Sequence, residues 1–197
     1  MSLKVIGKSE QITTSWSGGT TTQLYIFPEN ASYQERNFLF RISTATVEAD
    51  ESVFTRLPGV SRLLMILEGS LKIEYTGKYS KILQKFETDS FEGDWETKGF
   101  GKVTDFNLMT TGNLQGTIYG TSLKKDETIQ FHSFLSSQFI GLYVLKGNLE
   151  VLHGRLAHIG NKGDFIVMTG EDVKEMIVYA KEESEFAIAR IILPDFR

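Results

Sequence analysis

The chain has 197 residues, enough for one substantial core or two smaller ones, and its 18 Gly, 3 Pro, 14 Phe and 7 Tyr suit many strands joined by glycine turns. A net charge of −4 with acids and bases interspersed leaves no basic stripe and argues against a nucleic-acid partner. The lack of cysteine excludes disulfides, thiolate nucleophiles and thiolate metal sites, and the polar start and absence of any apolar run near about 18 residues predict a cytoplasmic protein with no membrane partner.

Taken in order, Leu3 to Thr14 reads as an edge strand without a clear period. Trp16-Ser-Gly-Gly-Thr-Thr-Thr22 is a glycine turn leading into a strand over Gln23 to Phe27, and Glu29 to Asn37 is a polar loop. The next strand, Phe38 to Val47, places Phe38, Phe40 and Ile42 on one face and Arg41 and Ser43 on the other. After the Pro58-Gly59 turn comes the stretch Ser61 to Tyr75, an apolar run, a turn at Gly69, then alternation through Leu71, Ile73 and Tyr75. It predicts a β-hairpin in which Gly69 takes a positive φ. Val103 to Thr110 is a further strand with Val103, Asp105, Asn107 and Met109 on one face.

The hairpin occurs twice. Leu67-Glu-Gly-Ser-Leu71 is answered by Leu145-Lys-Gly-Asn-Leu149, the hinge glycines 78 apart (147 minus 69). An echo is also read between Phe91-Glu-Gly-Asp-Trp95 and Asn161-Lys-Gly-Asp-Phe165. Strands follow at Phe165 to Met168 and Glu185 to Leu193, while Asp172 to Tyr179 is open between helix and strand. No long helix is predicted, and strands at this spacing point to a sandwich or barrel.

These paired hairpins resemble the cupin module, and two in tandem resemble a bicupin. More specifically, Trp16-x-Gly18-Gly19-x-Thr21, Arg41-Ile-Ser43-x-Ala45-x-Val47, Phe54-x-x-x-Pro58-Gly59-Val60-x-Arg62, Phe91-x-Gly93-Asp94 and Asp105-Phe-Asn107-Leu-Met109 resemble, in that order, the HutD/Ves family. The resemblance implies an all-β fold, a cupin-like β-barrel built as a tandem repeat (bicupin). Its first module would span 1–112 and its second 113–197, the two forming one compact unit. It also implies no established catalysis, an association with genes for histidine breakdown, and binding of a small acidic metabolite such as formylglutamate.

The residues themselves support binding better than chemistry. A cupin metal site needs three or four converging ligands. The histidines are His132, His153 and His158, none in a His-x-His pair and all in the second module, so neither metal nor cofactor is expected. No nucleophile has a partnering histidine in the first module, and acid–base work by Asp105 with an acid such as Glu68 is the enzymatic alternative. Arg41 and Arg62 suit a carboxylate, and Ser43, Asp105 and Asn107 suit its orientation. Trp16, Gly18, Gly19 and Thr21 are either a structural turn or further ligand contacts. The competing reading of Arg41 and Asp105 is a buried ion pair. An enzyme would place an acid of perturbed pKa in an open cleft, whereas a binding protein can hold its charges paired. The expected function is a non-catalytic metabolite-binding protein with a regulatory or accessory role in histidine or amino-acid catabolism. A cupin-type isomerase or hydrolase and a structural interaction protein are the alternatives, and an edge strand offers a route to a homodimer.

Overall fold

A computed structural model describes residues 2–132, 138–169 and 175–193. Its contacts divide the chain into two units, Gln11–Leu114 and Met1–Glu10 with Gln115–Arg197. Strand β1 (Ser2–Ile6) and a 3-10 turn at Lys8–Glu10 precede the first of these. Strands β2 (Ile12–Trp16), β3 (Gly19–Phe27), β4 (Phe40–Val47), β5 (Glu51–Val53), β6 (Val60–Gly69), β7 (Leu71–Tyr75), β8 (Ser80–Leu83), β9 (Thr88–Glu92), β10 (Thr97–Phe100) and β11 (Val103–Thr111) build it. The other contains β12 (Gln115–Leu123), β13 (Thr128–His132), β14 (Gln138–Lys146), β15 (Asn148–His153), β16 (Leu156–Asn161), β17 (Phe165–Thr169), β18 (Glu175–Ala180) and β19 (Ser184–Ile192). Among the described residues no helix is long and apolar enough to cross a membrane.

The first unit pairs its strands as a six-stranded sheet, β2-β3-β4-β11-β6-β9, and a four-stranded sheet, β5-β10-β7-β8. Leu64 and Ile66 of β6 and Val103 of β11 pack with Leu71, Ile73 and Tyr75 of β7, so the core forms between the sheets. The second unit has sheets β1-β17-β14-β19-β12 and β13-β18-β15-β16. Its core joins Ile140, Leu142, Val144, Phe186 and Ile188 of one sheet to Leu149, Val151 and Val178 of the other. Each unit is thus a double-sheet jelly roll of the all-β, cupin-like kind expected, the hydrogen bonding continuous within each sheet and the two sheets not closed into a barrel.

The repeat extends well beyond the hairpin. Strands β4 to β11 pair as β4-β11-β6-β9 and β5-β10-β7-β8, and β12 to β19 pair as β12-β19-β14-β17 and β13-β18-β15-β16, the same order with every label raised by eight. The hinge glycines match closely, with φ of 86° at Gly69 and 83° at Gly147. Each is hemmed in: a Cβ would come within 2.5 Å of the Lys102 carbonyl oxygen and 2.3 Å of Ser184 Oγ, respectively. Both hairpins carry a bulge at the same place, opposite Asp105 in β6–β11 and opposite Phe186 in β14–β19.

Three expectations need correction. The first ten residues do not belong to the first module, because β1 pairs with β17 from Ser2–Thr169 to Ile6–Phe165. The edge strand read over Leu3 to Thr14 is therefore two strands in different units. The Gly-Asp echo is out of register: Gly163-Asp164 corresponds to Phe86-Glu87. The Asn161 and Gln84 amides donate to the acid three residues on, and both turns bond the bulged strand, at Val144 and Ile66. The segment left open between helix and strand is strand β18 from Glu175 onward, and residues 172–174 lie outside the described residues.

Candidate functional site

The cavity, of about 260 Å³, lies in the first unit on the inner face of the six-stranded sheet. That is near the small end of ligand pockets, which run from roughly 300 Å³ upward. Strand register sets its floor as a lattice. At one level Arg41, Met109 and Arg62 are cross-strand neighbours; at the next, Gln23, Ser43, Asn107 and Leu64; at the third, Thr21, Ala45, Asp105 and Ile66. The alternation of β4 and β11 puts Arg41, Ser43, Asp105 and Asn107 on this face, while Phe40, Ile42, Phe106 and Leu108 are buried on the other.

The two guanidinium groups are buried, each residue 6% exposed. Arg41 donates from Nε to Gln23 Oε1 at 2.8 Å and from Nη1 to Ser43 Oγ at 3.2 Å, and it lies 4.5 Å from the Tyr33 ring centroid. Arg62 sits 5.0 Å from the centroids of both Phe54 and Phe91, and its Nε is buried with no hydrogen-bond partner. Burial lowers the pKa of both, that of Arg62 to about 10 despite the nearby Asp105 carboxyl.

Asp105 is 4% exposed, and its Oδ1, like the Oδ1 of Asn107, is buried without a partner. Burial pushes its pKa up to about 7, against the opposing pull of Arg62 and of a hydrogen bond from the Ala45 backbone amide. The anticipated Arg41–Asp105 ion pair is not formed. Arg41 turns toward Gln23 and Ser43, Arg62 is the cation that Asp105 senses, and no ion pair among the described residues joins Asp105 to either arginine.

Trp16 and Thr21 line the cavity, Trp16 being 38% exposed at its rim. Gly18 and Gly19 do not line it. A Cβ on Gly18 would fall 2.0 Å from Trp16 Cζ3, so the indole rests on its bare backbone, and a Cβ on Gly19 would strike the Thr46 carbonyl oxygen at 1.9 Å where β3 closes on β4. Gln23, Tyr33 and Phe54 were not anticipated. Gln23 lies two residues beyond Thr21 in unbroken alternation, so the strand period could have found it, whereas Tyr33 comes from a loop with no periodicity.

Of the sequence-level candidates for metal, His153 pairs with Leu156 and His158 with Val151, two residues apart along the ladder, and the His132 side chain lies outside the described residues. Among the described residues no three metal-ligating side chains cluster. Ser43 Oγ accepts from Arg41, and among the described residues no histidine lines the cavity with it. By the criterion of an acid with perturbed pKa in an open cleft, Asp105 meets the enzymatic requirement for one residue, but among the described residues no second carboxylate or imidazole lines the cavity with it.

The second unit provides an internal comparison. Counting from the hinge glycines and through the paired strands, Arg62, Asp105 and Asn107 correspond to Ile140, Phe186 and Ile188, all buried in its core. Arg41 and Ser43 correspond to Thr117 and Tyr119, and Met109 to Arg190. Where the first unit has Arg62, Asp105 and Asn107, its twin has three buried apolar side chains.

Among solved structures the chain is similar to PA5104 of Pseudomonas aeruginosa PAO1, a conserved protein of unknown function, with TM-score 0.83, 16% identity and coverage of 98% of this chain and 100% of that one. It is also similar to HutD from Pseudomonas fluorescens SBW25, with TM-score 0.71, 15% identity and coverage of 95% and 98%. The bacterial pirin YhhW of Escherichia coli, solved with nickel(II), matches with TM-score 0.72, 14% identity and coverage of 98% and 100%. Protein Ves of Escherichia fergusonii is 32% identical over 100 residues, 48% of this chain and 50% of that protein, so the chain spans about half the length of the curated relative it matches. The HutD family model matches residues 8–187, and the chain belongs to the HutD family.

Proposed function

We propose that the first unit binds a small carboxylate metabolite through Arg41 and Arg62, and that the protein acts as a binding component in histidine or amino-acid catabolism. The observation that supports this most is the unmet hydrogen bonding of the cavity. Arg62 Nε, Asp105 Oδ1 and Asn107 Oδ1 are buried and unpartnered among the described residues, on three side chains that line the cavity. Each such group costs about 1–3 kcal/mol. A carboxylate satisfies the guanidinium donors, and an N–H group on the same ligand satisfies the Asn107 acceptor. Formylglutamate has this combination, and the family's association with histidine breakdown makes it the first compound to test. The shifted acid favours a second reading, in which Asp105 performs acid–base chemistry on the bound molecule.

A thermal-shift screen against histidine, urocanate, formiminoglutamate, formylglutamate, glutamate and divalent metals tests the proposal. A ligand at 100 times its Kd stabilises by about 2.7 kcal/mol. A shift with an acidic compound that disappears in Arg62→Met supports the site, and a response to metals alone removes it. Asp105→Asn separates the two readings, since a binding protein keeps its ligand and an enzyme loses turnover.

A further inference from the structure

We infer that a carboxylate entering this cavity takes over from Asp105 as the counter-charge of Arg62, and that Asp105 is protonated in the complex, drawing a proton from solvent wherever it is ionised in the free protein. The inference rests on the reading of the cavity as a carboxylate site and adds the proton that accompanies the ligand.

The geometry carries it in three steps. Asp105 and Arg62 lie on adjacent strands, each nearly sealed from solvent, and yet they do not pair: Arg62 keeps a bare Nε and Asp105 a bare Oδ1. Both residues line a cavity with room for a guest, so an incoming carboxylate meets the Arg62 guanidinium, whose buried Nε becomes reachable on a small turn of the side chain. Once that carboxylate is seated, Asp105 faces a second negative charge in a buried setting and no longer has the full attraction of Arg62. Two anions sharing such a site raise the pKa of one strongly. Protonated, Asp105 turns its unpartnered acceptor into an O–H donor aimed at the guest, which converts a repulsion into a hydrogen bond.

The groups facing Asp105 do not supply a competing proton acceptor. Arg41 of β4 and Arg62 of β6 are cations, and Tyr33 from the β3–β4 segment stacks on Arg41. Tyr75 of β7 reaches the site only through its effect on Arg62, and burial and Asp89 hold its pKa above the usual value. The remaining contributions, Thr14 and Trp16 of β2, Thr21 of β3, Ser43 of β4, Ser52 of β5 and Asn107 of β11, do not titrate in the neutral range. Asp105 already titrates within that range, with a pKa of about 7, so a modest added repulsion raises its protonated fraction at neutral pH. Phe186 and Ile188 occupy the corresponding places in the second unit, so the coupling is one ligand and at most one proton per chain.

The test is an NMR titration of the full chain labelled with ¹³C and ¹⁵N, using acetate as the probe and chloride at matched ionic strength as the control. It follows the Asp105 carboxyl carbon and the Arg62 Nε–H from about pH 5.5 to about pH 8.5. The expected result is that acetate moves the Arg62 signal and raises the Asp105 midpoint by about one pH unit or more. Acetate affinity then falls, by up to about tenfold per pH unit, above the midpoint of the free protein. In Asp105→Asn, where the amide N–H replaces the acid proton, affinity is level across the range. If Arg62 responds and the Asp105 midpoint stays or drops, the proton coupling is wrong while the carboxylate site stands. If Arg62 does not respond to acetate beyond the chloride control, the carboxylate reading fails and the coupling fails with it. The wild-type titration decides the matter even where the variant folds poorly.

Discussion

Replacing Asp105 by Asn in the unliganded protein should stabilise it, and the gain should grow with pH. The pKa of Asp105 is raised from 3.8 to about 7, so the folded chain holds a proton that the unfolded chain has released. The sign follows directly: the favourable state is fully present below about pH 3.8 and is lost as pH rises through about 7. At about 1.4 kcal/mol per pH unit, the whole interval corresponds to about 4 kcal/mol, of which about 2–3 kcal/mol falls between pH 5 and pH 8. The amide introduced by Asp105→Asn would keep an acceptor for the Ala45 backbone N–H and remove the buried charge, leaving Arg62 less attracted but no less solvated. Urea denaturation of both proteins at pH 5, 6, 7 and 8 measures the effect, provided the m-values agree. The variant should gain on the wild type by about 2–3 kcal/mol across that range. A difference that is constant with pH would refute the reasoning, because it would mean that Asp105 is ionised at its ordinary pKa and that its burial is relieved by something other than a proton.

Arg41→Met should abolish the ligand-induced thermal shift and cost only about 1–2 kcal/mol by urea denaturation, since it removes two hydrogen bonds and the contact with Tyr33. A loss nearer 3–5 kcal/mol is the mark of a broken buried ion pair and would contradict the arrangement described. Gly18→Ala forces the indole off its seat beside the cavity, so the fluorescence of Trp16, read with Trp95→Phe as background, should shift to the red; an unchanged spectrum would place the ring elsewhere. Gly147→Ala meets both a φ of 83° and a contact with Ser184 at 2.3 Å, and should cost more than about 1 kcal/mol by the same denaturation assay. Equal stability would remove the argument for the hinge.

Much of the fold was legible because its signals are local. A glycine with positive φ between an apolar run and an alternating strand is written in a dozen neighbouring residues, and both copies, Gly69 and Gly147, behave as that pattern requires. The two-residue period likewise put Arg41 with Ser43 and Asp105 with Asn107 before any contact was known, and register then brought those pairs side by side. Register itself is not local. The match of Gly163 with Phe86 in place of Gly93 depends on which strand each turn bonds to, and a repeated Gly-Asp carries no such information. The transfer of β1 to the second unit is decided by an open edge of β17 far along the chain.

The same division runs through the site. By itself the sequence determined which charged and polar side chains share a strand face, because alternation is a property of the extended backbone. Only the tertiary structure decided how they are used. Arg41 turns to Gln23 beside the loop residue Tyr33, and Arg62 lies against the rings of Phe54 and Phe91. An ion pair depends on distances of a few ångströms between side chains brought together from separate strands, and on the burial that sets the cost of each charge. Neither quantity exists until the sheets close on one another.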